Sequence, residues 1–219
     1  MPLSIYWSLL AQQDSSWTFQ ASQMNTTIFG IYIEPDQIKS IGPILLLLLI
    51  PLWDKICRPL LEKCNIRLSP FCCITIGGLS AVTSFVCAGL LQSKIDEGLK
   101  HNMKISAIGQ LPQFIFIMLG EVFLSIPGLQ FVYTEAPSYM KSLLTAFWFI
   151  NNAIGNLIVI FIKELNIIDR QVWEFYLYGG LMLVATVIFI FTSIKYEIKR
   201  NRENPTIVMT KYQSCENLI

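Results

Sequence analysis

The chain has 219 residues, of which 53% are hydrophobic and 14% charged, with a formal net charge of +1. Soluble domains carry roughly a quarter charged residues, so this composition excludes an ordinary water-soluble globule and points to a lipid environment. The near-neutral balance, with no basic patch, also excludes nucleic acid as a partner.

In chain order, the first segment is Leu3–Met24, only moderately apolar and holding Gln12, Gln13, Asp14 and Gln20. A polar helix is tolerable in a membrane where it faces protein or water, so this segment is predicted to be a cavity-lining helix. Tyr6, Gln13, Trp17 and Gln20 share one of its faces at helical spacing. Two aromatics and two amides suit the lining of a cavity for a polar organic solute, while Asp14 lies one position off that face. Asn25-Thr26-Thr27 then forms an N-glycosylation sequon, making Asn25 a modification candidate.

The apolar run Ile41–Trp53 follows. A bilayer needs about 20 residues per helical span, so this run crosses only if it starts near Gln37. Phe71–Leu91 is the next span, and its Gly77-Gly78 pair reads as close helix packing. Six cysteines show no metal-ligand spacing, and the single histidine, His101, falls in a polar loop. No metal, cofactor or catalytic triad is therefore expected, and no enzyme activity.

Leu111–Val132 carries Glu121 near its middle with no cation nearby in sequence. A carboxyl group at that depth is costly, and its usual surroundings are a bundle interior or a water-filled cavity. Glu121 is thus a candidate proton carrier or partner for a cationic group, against the alternative of a structural hydrogen bond to a neighbouring helix. Leu143–Ile162 carries Thr145, Trp148, Asn152, Gly155 and Asn156 along one face. Gly155 and Asn156 fit helix packing, whereas Trp148 either walls a pocket or fills core. Val172–Ile194 is the last span, giving an all-α membrane protein with six transmembrane helices.

Basic residues orient the spans. Lys55, Arg58, Lys63, Arg67, Lys141, Lys195, Lys199, Arg200, Arg202 and Lys211 fall on one side, against Lys39, Lys94, Lys100, Lys104, Lys163 and Arg170 on the other. The richer side is predicted to be cytoplasmic, with the C-terminus inside and the Asn25 sequon outside. The first residues lack the basic leader and cleavage site of a signal peptide. Residues 1–199 are read as one membrane bundle, and residues 200–219 as a disordered cytoplasmic tail.

These residues together resemble the proton-coupled oligopeptide transporters of the major facilitator superfamily. The resemblance is carried most strongly by Gly120-Glu121-Val122-Phe123, Ser125, Gly128-Leu129, Phe131, Ala136-Pro137-Ser138 and Met140-Lys141-Ser142, which are similar to the family's tenth helix and the turn after it. Trp148 and Gly155-Asn156 extend it into the eleventh. Trp7, Gln12-Gln13, Ser15, Trp17-Thr18 and Gln20-Ala21 resemble the seventh helix, and Pro35-Asp36-Gln37, Pro51 and Asp54 the eighth. The likeness runs to about Lys199.

The resemblance implies the C-terminal six-helix half of a twelve-helix carrier that moves di- and tripeptides with protons, in a plasma membrane. Glu121 would meet the peptide's amino end, Trp148 would wall a side-chain pocket, and Tyr6, Trp7 and Gln13 would line the cavity. The partners implied are short peptides, protons, the lipid bilayer and an N-terminal six-helix half not contained here, since Met1 falls inside the equivalent of helix seven. Some positions depart from the family. Its Asp-Gln-Gln-Gly-Ser-Arg stretch reads Ala11-Gln12-Gln13-Asp14-Ser15-Ser16, and Gly42 replaces a substrate-facing asparagine. Those departures keep open an alternative, a degenerate non-transporting protein that binds or regulates a full-length transporter.

Overall fold

The computed structural model describes residues 2–11, 15–28, 30–63, 69–135, 141–164 and 170–203. Nine helices in chain order make up most of the described residues: α1 (Pro2–Ala11), α2 (Ser16–Ser22), α3 (Pro35–Ile38), α4 (Ile41–Leu52), α5 (Arg58–Lys63), α6 (Pro70–Lys100), α7 (Leu111–Glu135), α8 (Lys141–Glu164) and α9 (Gln171–Glu203). A two-stranded antiparallel hairpin, β1 (Thr27–Ile28) with β2 (Ile31–Tyr32), connects α2 to α3. Its turn passes through Gly30 at φ +82, a conformation that glycine adopts without cost.

Local chemistry sets the helix ends. Pro70 opens α6, and the Ser69 hydroxyl before it accepts from the Cys72 backbone N–H at 3.4 Å. α4 contains Pro51, which has no N–H to give, and the chain passes through a π-helical turn, Trp53–Cys57, into α5.

Among the described residues, four helical stretches are long and apolar enough to cross a membrane: Pro35–Ile56, Pro70–Lys100, Ala107–Gly128 and Gln171–Ile198. The chain is therefore a multi-pass membrane protein. The six spans expected from sequence divide differently. In α8 the apolar stretch Thr145–Phe161 is shorter, and the first predicted span is two helices, α1 and α2, with residues 12–14 between them outside the described set. The final helix also continues to Glu203, past the expected boundary at residue 199, and residues 204–219 lie outside the described set.

α6 is the hub, packed along α7 on one side and α9 on the other. In lipid there is little hydrophobic gain in bringing helices together, so close approach through small residues matters most. Gly77, Ala81, Ser84 and Ala88 recur at helical spacing on the side of α7, and Gly78 and Gly89 face α9. A Cβ on Gly77 would stand 2.9 Å from the Gly120 carbonyl oxygen in α7, and one on Gly89 would stand 2.9 Å from the Tyr176 ring in α9. The predicted close packing at Gly77-Gly78 is what the structure contains. Around this hub Trp17 packs on Phe85 and Phe114, with ring centroids 5.6 and 5.0 Å away.

Candidate functional site

Glu121 takes its direction from its neighbour. Gly120 is pressed against α6, where a Cβ would lie 3.1 Å from the Gly77 carbonyl oxygen. One residue later the helix has turned by about 100°, which carries Glu121 off that contact. Its half-buried side chain borders a cavity of about 410 Å³ between α1, the α3–α4 junction and α7. Leu10, Pro43, Leu46 and Met118 supply apolar walls, and Lys39, Ser40 and Glu121 supply the polar groups. Among the described residues Glu121 carries no hydrogen bond or ion pair, so its carboxyl group is open to the cavity. No cluster of metal-ligating side chains occurs among the described residues.

The other predicted site residues fare differently. Tyr6, expected to line the cavity, is fully buried. Its hydroxyl donates to the Ile117 carbonyl oxygen at 3.3 Å, one turn before Glu121, and its ring lies 3.5 Å from where a Gly120 Cβ would be. Tyr6 thus ties α1 to the stretch of α7 that presents the acid. A phenol buried against a neighbouring helix needs a partner for its O–H, and the nearest one is backbone. Trp7 is half-buried, its ring edge-on to Tyr6 with centroids 6.4 Å apart. Trp148 lies on α8, but its side chain and the whole of Gln13 fall outside the described residues.

Trp17 and Gln20, read from sequence as cavity lining beside Tyr6, are also core residues. Gln20 anchors a buried amide network. Its Nε2 donates to the Ala88 carbonyl oxygen at 3.1 Å, and its Oε1 accepts from Gln110 Nε2 and Gln113 Nε2, each at 3.1 Å. A carbonyl cannot donate, so the Ala88 bond fixes which end of the Gln20 amide is which. In this way the Gln20 amide meets its burial cost within the protein, while the Gln110 and Gln113 side-chain carbonyls are buried without a partner among the described residues.

Sequence reasoning counted Lys39 only as an orienting charge. The structure puts it on the wall of the Glu121 cavity. The available signal was the span length: a crossing that starts near Gln37 has Lys39 inside it.

Asn25 is exposed and held in place. Its backbone N–H donates to the Ile105 carbonyl at 2.8 Å, its own carbonyl accepts from Ala107 at 2.9 Å, and its side-chain Oδ1 accepts from the Thr27 N–H at 3.0 Å.

Comparison with known proteins agrees with this architecture. The sequence profile of the POT family matches residues 1–167. A probable peptide transporter of Schizosaccharomyces pombe is 30% identical over 211 residues, covering 91% of this chain and 33% of the relative. The rat solute carrier family 15 member 1 is 42% identical over 101 residues, covering 46% of this chain and 14% of the relative. The chain thus spans a third or less of the length of these two curated relatives. In structure, the POT family transporter PepTSo superposes with a TM-score of 0.77 at 24% identity, covering 90% of this chain and 40% of that one. With the profile matched over most of its length, the chain belongs to the POT family.

Proposed function

We propose that this chain forms the C-terminal six-helix half of a proton-coupled carrier for di- and tripeptides, with its C-terminus in the cytoplasm and the plasma membrane as its site. The observation that carries the reading is the Glu121 carboxyl group, set midway along α7, open to a cavity and without a hydrogen bond or ion pair among the described residues. An acid in that position can exchange a proton or receive a substrate ammonium group, and it stays available because no neighbouring side chain occupies it. Membership of a family whose relatives are peptide transporters supports the same solute class. In this reading Glu121 meets the peptide's amino end, Trp7, Trp148 and Gln13 border the path, and Tyr6 positions α7 rather than touching solute.

Alternating access requires two bundles moving about a shared central site. The test is uptake of a labelled dipeptide, driven by an inward proton gradient, in a transport-deficient host. The chain expressed alone should give none. Coexpressed with the N-terminal half of the fission-yeast relative, it should give uptake that Glu121→Gln lowers by about tenfold or more. Unchanged kinetics in the Glu121→Gln protein would remove Glu121 from the site.

A second reading, a non-transporting regulator of a full-length relative, draws on Ser16. At this position, where the family resemblance calls for arginine, the Ser16 hydroxyl donates to Glu174 Oε1 at 2.8 Å within the bundle. Altered transport by a full-length relative, with no uptake from the two halves together, would favour it.

A further inference from the structure

We propose that a buried hydration site lies between α2, α6 and the start of α7, where water bonds the side-chain carbonyls of Gln92, Gln110 and Gln113 and the indole N–H of Trp17. All four residues are 1% exposed. Their Oε1 and Nε1 atoms are buried and have no hydrogen-bond partner among the described residues. The site is separate from the Glu121 cavity, and it does not depend on which solute the bundle carries.

Turning the amides over does not supply the missing donors. The orientation of an amide is fixed by what its nitrogen and its oxygen meet. Gln20 must aim Nε2 at the Ala88 carbonyl oxygen, 3.1 Å away. Its Oε1 therefore faces Gln110 and Gln113, and each has to answer with nitrogen. Gln110 is fixed a second time, because its Nε2 also donates to the Trp17 carbonyl oxygen at 3.1 Å. Gln92 Nε2 donates to Asp96 Oδ1 at 2.9 Å and to Gln23 Oε1 at 2.8 Å, so a reversed Gln92 would set its oxygen against a carboxylate. The Ser84 hydroxyl is committed as well, donating to the Gln113 backbone carbonyl at 2.7 Å.

The Trp17 indole enters the same seam. It packs on Phe85 and Phe114, the sequence neighbours of Ser84 in α6 and Gln113 in α7. The seam thus offers carbonyl oxygens in excess and one indole N–H. An anion would meet the carbonyls, and a cation would meet the indole N–H. Water suits both, donating to the carbonyls and accepting from Trp17. The way in is polar, since the half-buried Gln23 and Asp96 lead from the surface to Gln92. A water-mediated bond is nearly as favourable as a direct one, so a hydrated seam lets α2 shift against α6 and α7 without stranding Gln20 or Gln110.

The experiment uses the full chain in lipid nanodiscs, labelled with nitrogen-15 in Trp and Gln, and reads transfer of magnetisation from water by NMR. The Trp17 indole signal is the one lost in Trp17→Phe. Should that variant not fold, it is the indole in contact with the Phe85 and Phe114 rings of the unmodified protein. Trp17 Nε1–H and the side-chain amides of Gln110 and Gln113 should all show direct transfer from water, although they are buried. Loss of transfer at Trp17 and at both amides would show a dry seam and overturn the proposal. The same signals should be indifferent to replacing choline with sodium, potassium or ammonium at constant ionic strength. A saturable shift with one of those ions would assign the site to a cation and overturn the proposal equally.

Discussion

At the scale of single residues, the buried glutamine side chains of this bundle use their amide donors within the protein, whereas the acid of α7 borders a cavity. Gln20, Gln110 and Gln113 are all buried, and each amide N–H₂ finds an acceptor. Glu121 is partly exposed to a cavity and has no hydrogen-bond partner among the described residues. That contrast separates scaffold from site. Gln20→Leu should strand the Gln113 amide, whose Nε2 has its hydrogen bond to Gln20 Oε1. Leaving a buried donor unmade costs about 1–3 kcal/mol, to be read as a lower thermal unfolding midpoint in detergent. An unaltered midpoint would show that the amide finds another acceptor. Periodicity had placed Tyr6, Trp17 and Gln20 together on one side of a helix, and they are together in being buried. What periodicity does not encode is whether that side meets protein or water, because amides and aromatics suit both.

At the scale of elements, α6 decides how the other helices stand. Its small residues let α7 approach until backbone meets backbone, and that approach fixes the rotation of α7 and so the direction of Glu121. Gly77→Val would drive its side chain into the Gly120 carbonyl and the Leu124 amide, each 2.9 Å from the position of the first added carbon. Backbone cannot rotate aside as a side chain can, so the helices must separate, at an overpacking cost of about 1–3 kcal/mol. Gly180→Val is the control, since nothing lies within 4 Å of a Cβ there. Thermal unfolding of the two variants side by side should show a clear loss for the first and a much smaller one for the second. Equal losses would mean that the α6–α7 crossing tolerates separation. The Gly77-Gly78 signal was legible in sequence, because small residues inside an apolar span have few other uses. The partner surfaces, Gly120 and Leu124 for one and Thr186 for the other, were not.

At the scale of the whole molecule, the exposed Asn25 offers a way to test which end of the bundle faces outward. Asn25 is exposed beside the loop that joins α6 to α7, and its backbone is pinned to Ile105 and Ala107. If that end faces the secretory lumen during synthesis, as the excess of basic residues at the opposite end predicts, a glycan can be attached there. Expressed in animal cells, the chain should then migrate faster after glycosidase treatment, and Asn25→Gln should abolish the shift. A mobility unaffected by glycosidase would remove Asn25 from the modification candidates.

The sequence by itself determined that this is a membrane protein built of helices with an acid midway through one of them. Hydropathy, helical periodicity and a lone charge in an apolar run are local properties that can be read along the chain. It did not determine the number of full-length spans, because the first predicted helix is two pieces and the apolar part of α8 is short. Only the tertiary structure decided that Tyr6 lies beneath the acid rather than in the cavity, and that Lys39 shares the cavity with Glu121. Both depend on where α1 and α4 meet α7, and those crossings are set by contacts between residues far apart in sequence, to which no local pattern answers.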